Sequence, residues 1–181
     1  MGNSNEFNQK YLRMTQEPVE RLVCSMAIPT ITIMLISALY NMADTFFVSS
    51  LGTSATGAVG VVFSLMAIIQ AIGFFFGHGA GNYISRELGA QNRDKASQMA
   101  ATGFLSVLIA GGAVTVSGLL FLEPLARFLG ATETILPHAC DYLRYILIGA
   151  PWMAASLMLN NLLRFQGSAF YGMMGMIAGA V

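Results

Sequence analysis

Residues 39–48 read LYNMADTFFV, a run that is apolar except for Tyr40, Asn41, Asp44 and Thr45. If this stretch lies in a soluble core or on a surface, a single aspartate needs no explanation. In a transmembrane helix a lone carboxylate is costly and is rarely placed without a use. The reading of this decapeptide therefore turns on which solvent the chain is built for.

Composition answers for lipid. The 181 residues are 55% hydrophobic and only 10% charged, whereas soluble domains carry roughly 25% charged residues. Formal net charge is +0 and the nine Lys and Arg are scattered, so the basic face that a nucleic-acid partner requires is absent. Cys24 and Cys140 lie far apart without CxxC spacing. They suggest neither a disulfide framework nor a zinc site, and read as small packing residues.

Outward from LYNMADTFFV, apolar stretches alternate with short polar breaks. Spans are expected at about 22–50, 57–85, 96–122 and 137–163, each long enough for the ~20 residues that cross the hydrocarbon core. A fifth begins near Phe170 and has about a dozen residues before Val181, too few to cross. The expected fold class is thus an all-α membrane protein, a polytopic transmembrane helix bundle. Residues 1–21 are expected to form a cytoplasmic N-terminal segment and residues 22–181 a transmembrane lobe cut within its fifth helix. A signal peptide does not fit the first span, because its apolar run is about twice a signal h-region and contains Pro29 and Asp44.

Lys10, Arg13, Arg21, Arg86, Arg93, Lys95 and Arg164 fall on one side of these spans, and Arg127 and Arg144 on the other. The positive-inside rule then puts the N-terminus in the cytoplasm of a cell-membrane protein. Within the spans, GFFFGHGAGN and LIAGGAVTVSG supply closely spaced glycines, which let transmembrane helices approach one another closely. Gly77, Gly79 and Gly81 do not form a phosphate loop, since that fingerprint needs a strand before it and a helix after it.

Pro29 removes a backbone hydrogen bond within the first span and predicts a bend or hinge there. Asp44 follows fifteen residues later, about four turns. Ser37, Tyr40, Asn41, Asp44 and Val48 then share one partly polar helix face, which should look into the bundle or a wet cavity rather than lipid. Desolvation favours the neutral form of a carboxylate and a nearby cation the charged form, so such a residue can change charge with its hydration. Gln70, Asn160 and Asn161 are further polar candidates for a cavity lining, with interhelical hydrogen bonding as their plainer role. His78 reads as a satisfied structural histidine, Asp141 and Arg144 as a local helix pair, and Arg86, Glu87, Arg93, Asp94 and Lys95 as a solvated loop. No cluster of His, Asp or Glu has metal or catalytic spacing, so an enzyme is not expected.

Three motifs in order, LYNMADTFFVSSLG with its proline fifteen residues before the aspartate, SRELGAQNRDKA, and YLRYILIGAPWMAASLMLNNLLRFQGS, resemble the multidrug and toxic compound extrusion (MATE) family from about Val19 onward. That resemblance implies the first lobe of a two-lobe, twelve-helix transporter. It implies export of small-molecule drugs or toxins, cationic or amphiphilic, through a central cavity in exchange for H+ or Na+, with no other cofactor. By the same resemblance Asp44 carries ion coupling, Pro29 is the helix hinge, and Tyr40, Asn41, Gln70, Asn160 and Asn161 line the cavity. The missing C-terminal lobe and the lipid bilayer are the implied partners. A lipid-linked oligosaccharide flippase of related architecture is the alternative.

The orientation is directly testable. A cysteine placed at Thr53 should react with an impermeant thiol reagent from outside the cell, and one placed at Asn92 should not. The reverse labelling pattern would invert the assigned topology.

Overall fold

The computed structural model describes Leu12, residues 16–49 and residues 53–180; the side chains at 44, 48–49, 53–55 and 176–180 lie outside the described set. Six helices follow in order: α1 (Val19–Ser49), α2 (Thr53–Gly89), α3 (Arg93–Leu120), α4 (Leu122–Phe128), α5 (Leu136–Phe165) and α6 (Ala169–Ala180). Four of them, α1, α2, α3 and α5, are long and apolar enough to cross a membrane, and they coincide with the four expected spans. At about 1.5 Å per residue α2 is about 55 Å long, so its ends project beyond a hydrocarbon core of about 30 Å. One end of the bundle collects Arg21, Arg86, Arg93, Lys95 and Arg164; the opposite end holds Arg127 and Arg144.

The helices are apolar all round, so hydrophobicity alone does not select their buried faces. Small residues do. On α2 the buried series is Val62, Leu65, Ile69, Gly73, Gly77, Ala80 and Ile84; on α5 it is Ala139, Leu143, Leu147, Ala150, Ala154, Met158 and Asn161. Both run at three- and four-residue steps, one face of a helix each. On α3 the buried series is Ala96, Gly103, Val107, Gly111 and Gly118. The most extensive contacts are α2 with α5, then α3 with α5 and α2 with α3, so α5 sits at the centre of a packed trio.

The glycines bring these backbones together. A Cβ on Gly73 would stand 3.0 Å from the Ala154 carbonyl oxygen, and one on Gly77 would stand 3.0 Å from the Asn161 Cβ. Further along the same seam Gly81 receives the Phe165 ring, and on α3 Gly103 receives the Met158 methyl group. A Cβ on Gly111 would lie 2.7 Å from the Pro151 Cα. Here α3 crosses α5 at a proline inside the helix. Pro151 has no N–H to offer the carbonyl of Leu147 one turn earlier, and Leu147 is fully buried. Thr115 Oγ1 of α3 donates to that carbonyl at 2.6 Å. An unpaired buried carbonyl would cost about 1–3 kcal/mol, so the hydroxyl offsets the defect the proline creates.

Three helix ends share one stop. At the end of α2 the Asn92 N–H bonds the Glu87 carbonyl and the Gln91 N–H bonds that of Leu88. The same 6→1 and 5→2 pair recurs at Ala131 and Gly130 after α4, and at Ser168 and Gly167 after α5. This Schellman arrangement needs a left-handed residue at its turn. Gly130 and Gly167 supply it with φ +104° and +71°, and Gln91 adopts φ 61° without being glycine. The connection between α2 and α3 is consequently only Ala90–Asn92. Arg86 and Glu87 complete α2, and Arg93, Asp94 and Lys95 open α3, which corrects their reading as a solvated loop. The short helix α4 is also absent from the sequence reading; seven residues with Pro124 inside them give no helical period of their own. Arg127 of α4 bonds Glu123 at 3.0 Å and pairs with Glu133, clipping α4 to the segment before α5. This clip holds the Glu133 carboxyl below its usual range, chiefly through its hydrogen bond to Arg127.

α1 stands apart from the trio. It packs on α6 and α2, with Pro29 and Ile33 buried. Only 6% of its most apolar window is buried, against 39% for α5.

Neighbouring glycines on α3 provide a controlled test of close approach. Gly111→Ala should destabilise the protein by roughly 1–3 kcal/mol through overpacking against Pro151. Gly112→Ala, where an added Cβ meets nothing within 4 Å, should be neutral or stabilise by about 0.5–1 kcal/mol through helix propensity. Thermal unfolding in detergent compares the two, and equal effects would refute the close-approach account.

Candidate functional site

The polar residues selected from the sequence fall into two groups. The first lies on α1. Tyr40 is 62% exposed and Asn41 is exposed, as is every described side chain from Ala38 to Phe47. The backbone of Asp44 continues α1, which places it one turn beyond Tyr40 and Asn41 on the same face; its side chain lies outside the described residues. Pro29 is buried two turns before Ser37, inside an unbroken helix. Thus α1 is anchored through Pro29 and Ile33, while its described side chains from Ala38 to Phe47 are exposed. Thr45 Oγ1 there donates to the Asn41 carbonyl of its own helix at 2.9 Å.

The second group lies near the basic end of α5. Asn160 Nδ2 donates to the Gly172 carbonyl of α6 at 3.2 Å. A Cβ on Gly172 would come within 3.0 Å of that nitrogen, so glycine is what allows the amide to reach the α6 backbone. Asn161 is 4% exposed and turns its Nδ2 onto the Leu157 carbonyl of its own helix at 2.9 Å, where it packs beside Gly77. Adjacent asparagines therefore do different things. One ties α5 to α6, and the other fills the α2–α5 seam.

Gln70 of α2 is exposed and makes no hydrogen bond among the described residues; it does not join the α5 group. His78 is satisfied locally: its Nδ1 lies 2.9 Å from the Phe74 carbonyl and its ring meets Phe165 edge-on. Asp141 and Arg144 do not make the ion pair expected from their spacing; the described ion pairs on this end belong to Arg127. Among the described residues no group of His, Cys, Asp or Glu is arranged to hold a metal ion.

Two features escaped the sequence reading. Glu87 Oε2 and Arg164 Nε, near the basic ends of α2 and α5, are shielded from solvent without a hydrogen-bond partner. Nothing in their local sequence signals this, since burial of a helix terminus depends on its neighbours. The Thr115–Leu147 bond did have a signal. Pro151 inside an apolar span implies an orphaned carbonyl four residues earlier, although the residue that answers it is set by helix packing.

Comparison with known proteins places this arrangement. The MatE family model matches residues 29–181, a range that opens at Pro29 and takes in both groups of polar residues described in this section. The FAD transporter of Shewanella oneidensis is 33% identical over 150 residues, which is 83% of this chain and 33% of that protein. The multidrug export protein MepA of Staphylococcus aureus is 28% identical over 164 residues, covering 90% of this chain and 36% of its own. The chain thus spans about a third of the length of the curated relatives it matches. An outward-facing multidrug resistance MATE transporter of the MOP superfamily superposes with a TM-score of 0.86 at 29% identity, over 93% of this chain and 38% of that one. A MATE structure in the bent conformation superposes with a TM-score of 0.80 at 30% identity, over 89% of this chain and 36% of that one. An α-helical bundle with four apolar spans, matched along nearly its whole length by transporter structures, identifies the chain as a member of the MATE family, corresponding to its N-terminal lobe.

Proposed function

We propose that this chain acts as the N-terminal lobe of a secondary active exporter, exchanging H+ or Na+ for cationic or amphiphilic compounds, with Asp44 as the coupling charge. The observation that carries the reading is the position of Asp44 on α1. Asp44 falls on a membrane-crossing helix one turn beyond Tyr40 and Asn41, both of which are exposed. Exposed to lipid it would be costly; facing a cavity shared with a second lobe it would be useful. Protonation or Na+ binding neutralises its charge and removes a site of attraction for a cation, so ion and cargo compete. Coupling follows if the two charge states favour different placements of α1, because a ligand moves an equilibrium only through its differential affinity for the two states. Pro29, inside the packed part of α1 and about two turns before its exposed stretch begins, is the place for such a movement to pivot. Asn160 and Asn161, on the basic side, extend the polar lining, and the N-terminus lies in the cytoplasm.

A second reading, export of an anionic flavin nucleotide, is favoured by the 33% identity to the Shewanella oneidensis FAD transporter. The two differ in cargo charge, and one assay separates them. Cells expressing the natural gene product that carries these residues should expel a cationic dye when energised. Asp44→Asn should reduce that efflux, normalised to folded protein, by roughly tenfold or more, the scale of common coupling free energies, and Asp44→Glu should recover part of it. Accumulation of FAD in the medium without dye export would favour the second reading. Full dye efflux by well-folded Asp44→Asn would remove Asp44 from the coupling role.

A further inference from the structure

We propose that Thr115 is a positioning residue whose hydroxyl latches α3 to the proline break in α5, alternating between the Leu147 carbonyl and the Gly111 carbonyl of its own helix. The hydroxyl oxygen lies 2.6 Å from Leu147 O and 3.0 Å from Gly111 O. A hydroxyl has one proton to donate, so the two carbonyls compete for it. They are not equivalent. The Gly111 carbonyl faces the Thr115 backbone N–H in the regular helical pattern and loses little without the hydroxyl. The Leu147 carbonyl faces Pro151, which has no N–H, and Leu147 is wholly buried. The latched arrangement therefore satisfies both acceptors, and the unlatched one leaves a buried carbonyl unpaired.

The latch lies at the proline break of α5, with α2 and α3 both packed on either side of it. Beyond Pro151, Ala154, Leu157, Met158 and Asn161 are seated against Gly73 and Gly77 of α2. Before it, Leu147 packs on Gly118 of α3, whose added Cβ would stand 2.5 Å from Leu147 Cδ2. Gly111, pressed on Pro151, brings the α3 backbone close enough for Thr115 one turn later to reach across. The hydroxyl thus ties α3 to the carbonyl that the proline leaves open and constrains the angle between the two halves of α5. Asn160 is nine residues beyond the proline, about 14 Å along the helix, so a change of about 10° in the bend displaces it by about 2 Å relative to the first half. That displacement is far more than its 3.2 Å bond to Gly172 can absorb without breaking.

The consequence for transport rests on the exporter reading; the latch does not, and the experiment separates them. Amide exchange of residues 152–155 is followed by mass spectrometry in the natural gene product. Thr115→Val should exchange roughly fivefold faster than wild type, the factor expected for one net hydrogen bond, and Thr115→Ser should match wild type. Pro151→Ala restores an N–H opposite Leu147 O, so the Thr115→Val effect should vanish beside it. Exchange unchanged in Thr115→Val, or equally accelerated beside Pro151→Ala, would overturn the latch. In efflux assays Thr115→Val should shift the apparent affinity for a cationic dye by roughly fivefold, again restored by serine, if the bend positions the Asn160 region. Accelerated exchange with unaltered transport affinity would overturn the positioning role. Absence of export by the wild type would reject the exporter reading and leave the exchange result standing.

Discussion

Close approach of helix backbones along α5 is the constraint on which the rest of this bundle depends. Between helices in lipid the hydrophobic effect supplies no net attraction, so association relies on van der Waals contact and interhelical hydrogen bonds. Both weaken steeply with distance. Gly73 and Gly77 on α2, and Gly103, Gly111 and Gly118 on α3, let those helices meet α5 where a methyl group would already collide. Once α5 is held from two sides, the backbone groups it carries come within reach of its neighbours.

Two polar contacts follow from that proximity. Thr115 reaches the carbonyl that Pro151 leaves open, and Asn160 reaches the α6 backbone at Gly172. Each joins a side chain to a main-chain carbonyl across two helices, and each passes beside a glycine that makes the approach possible. The proline is tolerated because α3 repairs its defect, as is general for prolines within membrane helices. The proline lies between the Leu147 end of α5 and the segment that carries Asn160 and Asn161.

α1 is built on the other principle. It is anchored by Pro29 and Ile33 against few neighbours, and its last turns present Tyr40 and Asn41 uncovered. A helix with little burial can change its placement at small cost, since each buried apolar contact given up is a loss that α1 hardly incurs. The division between a trio locked by glycines and a lightly packed helix carrying an acidic residue suits a transporter lobe.

Much of this was legible in the residue order. The four spans could be read because chain length and charge depletion are local properties, and their observed limits differ from the expected ones by no more than a turn or so. The family resemblance was legible because LYNMADTFFV, SRELGAQNRDKA and the Asn160–Asn161 segment are contiguous strings. Gly130 and Gly167 are of the residue type that a left-handed helix stop favours, whereas Gln91 adopts the same turn without being glycine. What the sequence left open was direction around each helix axis. With apolar residues on every face, periodicity does not say which glycine meets which neighbour, whether Asn160 or Asn161 crosses to another helix, that Gln70 faces away from both, or that Asp141 and Arg144 stay apart. Nor does it pair Thr115 with a carbonyl thirty-two residues away. Those choices belong to tertiary structure, because they are made by steric fit between backbones, and fit is a property of two helices together rather than of either string alone.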